Sequence, residues 1–146
     1  MVFDLGFHKD LDKMSTETQN HRKRLEFLYQ DLSGEIIGAA IEVHKTLGPG
    51  FPERVYQVAL EHELTLREIP FESQKQVLVI YKGIVAVEYF IDLIVDGKII
   101  LELKALNDLE PVHEAQAMSY LKASKLRLAL LLNFGQKIIQ SKRIIL

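Results

Sequence analysis

The stretch "FIDLIVDGKIILELK", residues 90–104, reads as two apolar strands about a turn, yet it sets Asp92, Glu102 and Lys104 inside the apolar runs. Two carboxylates on a covered sheet are costly unless something neutralises them, and a hard divalent cation with oxygen ligands does so. A lysine one pleat further along could hold or deprotonate an attacking water. Side chains alternate faces along a strand, so Glu102 and Lys104 share a face whatever the turn does. Asp92 depends on the turn. A two-residue Asp96-Gly97 loop pairs Val95 with Lys98 and sets Asp92 opposite Leu101, on the other face from Glu102. A three-residue loop, Val95-Asp96-Gly97 with Gly97 left-handed, pairs Ile94 with Lys98 and sets Asp92 opposite Ile100, diagonal to Glu102 at roughly 7 to 8 Å. We expect the odd-length loop, or a bulge with the same effect. The plainer alternative pairs Glu102 with Lys104 and leaves Asp92 in water at a strand end.

Other polar residues fall at spacings that could join such a site. In "GFPERVY", residues 50–56, Glu53 and Tyr56 lie three apart on one helical face just after a glycine-rich turn. Glu53 would equally suit the positive end of the helix dipole. "HEAQAMSY" places His113, Gln116 and Tyr120 on one helical stripe, where they would line a cleft or simply face outward. His44, before "KTLGPG", reads as a helix-end residue.

The elements that would position these groups follow from periodicity and punctuation. Residues 1 to about 30 are polar and of mixed charge, an arm or an appended helix. Ser33 is a candidate N-cap for a helix over "GEIIGAAIEVHKTL", stopped by "GPG". Pro52 suits the first turn of a second helix running to Glu68, where Ile69-Pro70 ends it. "QVLVIYK", "IVAVEYFIDLIV" and "KIILELKA" are three strands of a meander. The last two are apolar on both faces, so helices must cover the sheet on both sides. "PVHEAQAMSYLKASK" is a helix, and "LRLALLLNF" a buried strand returned parallel to the third by a right-handed crossover. "KRIIL" could add an edge strand. The order α-α-β-β-β-α-β makes an α/β sandwich with a mixed sheet.

Composition narrows the function classes. The 146 residues suit one domain with a real core, and 48% hydrophobic with 26% charged residues is a globular balance. With no cysteine, disulfides, thiolate metal sites and cysteine nucleophiles are excluded. The N-terminal "MVFDLGFHKDLDK" lacks the apolar stretch of a secretory signal, and the longest uncharged run, "LALLLNFGQ", is about half a membrane span. We therefore expect a cytoplasmic protein with no membrane partner. The net charge of -2 exerts no overall pull on nucleic acid, but residues 121–146 hold Lys122, Lys125, Arg127, Lys137, Lys142 and Arg143 and no acid. They could form a phosphate footprint or a plain solvated face.

"GEIIGAAIEVHKTLGPGFPERVYQVALEHEL" resembles the signature of the GxxExxY proteins, with Gly50, Glu53 and Tyr56 filling the pattern, and "HEAQAMSYLKASKLRLALLLNFG" is similar to the C-terminal half of that family. The resemblance runs from about Leu32 to the end, dividing the chain into residues 1–31, an arm or extra helix, and 32–146, a PD-(D/E)XK nuclease-like domain. It implies a restriction-endonuclease-like αβββαβ core with its metal site on the second and third strands. Carried across, it makes Asp92 the motif aspartate, preceded here by Ile91 rather than proline. Glu102 and Lys104 become the (D/E)XK pair, and Glu53 the acidic residue of the preceding helix. Gln116 and Tyr120 match the Q-x-x-x-Y element of RecB-like nucleases. The expected function is a nuclease using Mg²⁺ or Mn²⁺ on DNA in preference to RNA. Asp92, Glu102, the Leu103 carbonyl and Glu53 would hold the metal, Lys104 would act on the water, and Gln116, Tyr120, His113 and Tyr56 would stand near the substrate. The alternative is a nuclease-fold module that binds nucleic acid or a partner protein without cleaving. A homodimer that swaps the N-terminal arm is compatible with either.

Overall fold

The computed structural model describes residues 5–146, with side chains described for 11–25 and 27–146. The start of the N-terminal arm thus lies outside the described residues. The chain divides into two units, residues 1–30 and 31–146. The first contains the helix α1, Leu5–Glu26, whose described side chains are exposed almost throughout.

The helix α2, Gln30–Leu47, lies but for its first residue in the second unit. The helix starts three residues before Ser33, which is buried and accepts a hydrogen bond from Arg143 Nη1 at 3.0 Å instead of capping a terminus. Its end is where "GPG" puts it, with Gly48 at φ 69° and its N–H on the His44 carbonyl at 2.7 Å. The helix α3, Glu53–Leu66, follows Pro52 in extended conformation and buries Tyr56, Gln57, Leu60 and Leu64, the i, i+1, i+4, i+8 stripe of one face.

Five strands make a single sheet in chain order: β1 (Phe71–Tyr81), β2 (Ile84–Val95), β3 (Ile99–Lys104), β4 (Leu128–Asn133) and β5 (Gln140–Ile145). Neighbours are antiparallel except β3 and β4, which run parallel through the crossover helix α4, Pro111–Ser124. β4 is buried along its whole length, as is β3 up to Leu103, which is why both read as unbroken apolar runs rather than alternating ones. On one face, Ala117, Tyr120 and Leu121 of α4 pack with Ile100, Ala129, Leu131 and Ile144. On the other, α3 lies against β1 and β3. The architecture is the α/β sandwich with a mixed sheet read from the sequence, and "KRIIL" lies within β5.

The exit of β3 is fixed by Asn133, fully buried at the end of β4. Its Oδ1 accepts the Leu106 and Gly135 N–H groups at 2.9 and 3.1 Å, while its Nδ2 donates to the Leu106 carbonyl at 3.0 Å and to Gln140 Oε1 at 3.1 Å. A buried amide with all its bonds made is rigid, and one left with an orphaned group costs about 1 to 3 kcal/mol. Gly135 completes this junction: a Cβ there would fall 2.2 to 2.7 Å from Leu106 backbone atoms. Gly135→Ala must therefore push the β3–α4 connection off the sheet. We expect a loss of about 3 kcal/mol or more, read as a lower denaturant midpoint with unchanged slope.

Candidate metal centre

β2 and β3 converge on a turn in which Asp96 and Gly97 both have positive φ, 50° and 62°, the signs of a type I′ turn, and the Lys98 N–H bonds the Val95 carbonyl at 2.9 Å. The ladder nevertheless pairs Val95 with Ile99, so Lys98 is an extra residue and the connection has odd length, Asp96–Lys98. Pairing continues through Ile94 with Ile100 and Leu93 with Leu101, and there it stops. One more step would set Asp92 across from Glu102 itself, a closer relation than the diagonal one expected.

Beyond that point each carboxylate takes over an amide of the other strand. Glu102 Oε1 accepts the Asp92 N–H at 3.3 Å, and Asp92 Oδ2 accepts the Leu103 N–H at 3.0 Å. β1 accommodates the break as well. Its ladder to β2 omits the Gln74–Asp92 pair between Ser73–Leu93 and Lys75–Ile91, and Gln74 adopts a φ of 49°, rare for a non-glycine in a strand. Ile91 and Ile94 belong to one core cluster although strict alternation would oppose them, so β2 turns about its axis at Asp92.

The electrostatics follow from two acids sharing a dry position. Glu102 is 4% exposed, and burial, then the neighbouring Asp92 charge, push its carboxyl up to about 8. Burial also raises Asp92, against the opposing pull of the Leu103 N–H and the Lys104 ammonium. Glu53, at the solvent end of α3, is raised by burial of its carboxyl and by Asp92, and lowered by Lys104, so it lies within the same field. Lys104 Nζ donates to Gln116 Oε1 at 3.2 Å, and Gln116 Nε2 donates to the Tyr120 hydroxyl at 3.0 Å. Burial and the two carboxylates raise that phenol to about 12, so it stays neutral at any working pH.

The fold therefore brings together Asp92, Glu102, Lys104, Glu53, Gln116 and Tyr120, with the Leu103 main chain between the two acids. Tyr56 and His113 are placed differently. The Tyr56 hydroxyl donates to the Gly48 carbonyl at 2.6 Å and accepts the Phe51 N–H at 3.1 Å, and its ring stacks on Phe134, so it pins the glycine-rich turn. His113 Nδ1 accepts the Glu110 N–H at 2.9 Å as half of the capping box that starts α4. His44 is a helix-end residue bonded to the Gln136 carbonyl at 2.7 Å.

Two glutamines that the sequence reading passed over approach Asp92. Gln57, 4% exposed, reaches the Asp92 carbonyl at 3.4 Å and accepts Gln74 Nε2 at 3.3 Å, and Gln74 also bonds the Asp92 carboxylate. A signal existed: Gln57 is i+4 from Glu53, so a face that aims one at the sheet aims the other too.

The donor set can be tested against a cation. Among the described residues no three His, Asp or Glu side chains form a ready cage. The two that converge offer hard oxygens raised in pKa, both by burial and Glu102 by the Asp92 charge as well, the condition a divalent ion relieves. Mg²⁺ characteristically takes one or two carboxylates and fills its remaining positions with water and substrate phosphate. The residues fit such an ion.

A mixed five-stranded sheet between helices, with paired acids and a lysine at the splayed end of its second and third strands, defines a restriction-endonuclease-like α/β protein. The family model of the PD-(D/E)XK nuclease superfamily matches residues 30–144, and the chain belongs to that superfamily. Among curated proteins none matches. A solved structure described as the crystal structure of SSO0001 is similar at a TM-score of 0.52 and 18% identity, over 89% of this chain and 60% of that one. The likeness is one of fold, and this chain spans about three fifths of that chain's length.

Proposed function

We propose that the protein is a Mg²⁺- or Mn²⁺-dependent nuclease that hydrolyses phosphodiester bonds, with DNA the favoured substrate. The observation that carries this reading is the exchange of carboxylates across the end of the β2–β3 ladder, with Lys104 directly beyond it. A structural ion pair would put Lys104 on Glu102; here its Nζ is held by Gln116 instead, leaving the acids for a cation.

Asp92, Glu102 and the Leu103 carbonyl would hold the ion, with Glu53 behind them. The ion supplies Lewis acidity at the phosphate and lowers the pKa of water. Lys104, steered by Gln116 and Tyr120, positions the water whose oxygen bonds to phosphorus while a P–O ester bond breaks, and its charge offsets the negative charge that develops. The Gly50-x-x-Glu53-x-x-Tyr56 pattern supports a place in the GxxExxY branch. In that pattern Tyr56 and the glycines set the turn that delivers Glu53 to the site.

The test is incubation of the purified chain with single-stranded, linear duplex and nicked DNA and with RNA, with Mg²⁺, with Mn²⁺ or with chelator. Cleavage that requires the metal and falls about 100-fold or more in Lys104→Ala is the expected result. Metal-indifferent binding without cleavage of any substrate would replace the nuclease by a binding module.

A further inference from the structure

The β1–β2 ladder continues out to Tyr81–Ile84, whereas β3 pairs with β2 only over Leu93–Val95, so the outer half of this hairpin is a two-stranded arm. Between the arm and the outer side of α4 runs an open groove of about 570 Å³. Val79, Val87 and Tyr89 line it from the arm, and Ser119, Lys122 and Lys125 from the helix. No carboxylate lines it, and neither lysine makes an ion pair among the described residues. Three of the other C-terminal cations are engaged elsewhere, and Lys137 lies away from the groove. Lys142 bonds Glu114, Arg143 bonds Ser33, and Arg127 bonds the Leu146 carbonyl.

A chain of side-chain contacts links the groove wall to the carboxylate site. Tyr89 meets Tyr120 edge to face, ring centroids 4.9 Å apart, and the Tyr120 hydroxyl holds Gln116, which holds Lys104. An apolar and aromatic floor beside two unpaired ammonium groups suits a ligand with both faces of a base and a phosphate to offer. An unpaired strand has both, whereas a double helix turns its bases inward and would leave the apolar floor unused.

Resting on the nuclease reading, we propose that this groove takes a single nucleic-acid strand. Its phosphates lie on Lys122 and Lys125, its bases lie against Val79, Val87 and Tyr89, and the strand is led to the carboxylate pair.

The test is binding of the full chain, in chelator, to labelled oligothymidylate, to the same strand duplexed with oligoadenylate, and to oligothymidylate in competition with polyglutamate. Lys122→Glu with Lys125→Glu should weaken single-strand binding about tenfold or more and flatten its salt dependence by about 1.4 in log–log slope, two phosphates at roughly 0.7 each. Tyr89→Leu, which keeps an apolar body against Tyr120, should weaken it about fivefold or more. A 4-thiothymidine strand should crosslink to residues 78–89 or 119–125. Unchanged binding in all variants, equal binding of the duplex with the same loss on lysine reversal, displacement by polyglutamate as by DNA, or crosslinks confined elsewhere would each overturn the groove. Such a failure, with cleavage still needing Lys104, leaves the nuclease standing. Strand binding in the groove with no metal-dependent cleavage removes the nuclease and keeps the groove.

Discussion

Asp92→Asn should reduce metal-dependent cleavage about 1,000-fold and at the same time make the metal-free protein more stable. The first effect follows because one carboxylate of a two-carboxylate site is gone, and removing a group preorganised against transition-state charge costs on the order of 10²- to 10³-fold. The second follows from what the side chain does without a cation. The asparagine oxygen can still accept the Leu103 N–H that Asp92 Oδ2 accepts, so no buried amide is orphaned. The charge that helps push Glu102 up to about 8 is removed. Asp92→Ala separates the two roles: it should lose the same activity but also destabilise by about 1 to 3 kcal/mol, because the Leu103 N–H is then buried without an acceptor. Thermal melts with and without Mg²⁺ check both, since the metal-induced rise in melting temperature should vanish in each variant. An Asp92→Asn protein that melts below wild type without metal would contradict the electrostatic account.

The second large effect is on pH. Folding raises Glu102 from the ordinary 4.5 to about 8, so the folded chain binds this proton more tightly than the unfolded chain does. Stability from this group is complete below about pH 4.5 and is lost as pH rises through about 8. At about 1.4 kcal/mol per unit the full loss is on the order of 5 kcal/mol. Asp92 is raised in the same direction and adds to it. A divalent cation takes the place of the proton, so its affinity should climb with pH up to about 8, and its presence should flatten the stability profile. Urea midpoints at about pH 5, 7 and 9, with and without Mg²⁺, measure this. Glu102→Gln should lose most of this slope and keep only what Asp92 contributes, and a profile parallel to wild type would refute the assignment.

Much of the fold was legible because its signals are local. Proline and glycine punctuate α2 and α3, and β3 and β4 declare their double-sided burial in uninterrupted apolar runs. The odd parity of the β2–β3 connection was legible from the need to bring Asp92 and Glu102 to one face. Its register was not, because whether the extra residue is Val95 or Lys98 depends on the φ values at Asp96 and Gly97, which side-chain pattern leaves open. Gln74 was missed for a related reason. It approaches Asp92 because β2 twists and β1 adopts a positive φ there, and neither deviation has a signature in residue type. Ser33 misled because a good cap residue is equally at home buried when a distant arginine bonds it. In "HEAQAMSY" the helical spacing is real, but a residue in the first turn, His113, serves the helix end, while Gln116 and Tyr120 further along face the sheet.

The exchange of amides between Asp92 and Glu102 also bears on the order of events as the chain is made. In zinc fingers the ligands have no use until the ion arrives, and the chain waits unfolded. Here each acid already closes the strand end left open by the other, ten residues away along the chain. The hairpin can complete itself before any ion is present, loading becomes a late and reversible step, and a chelator should silence the molecule without unmaking it.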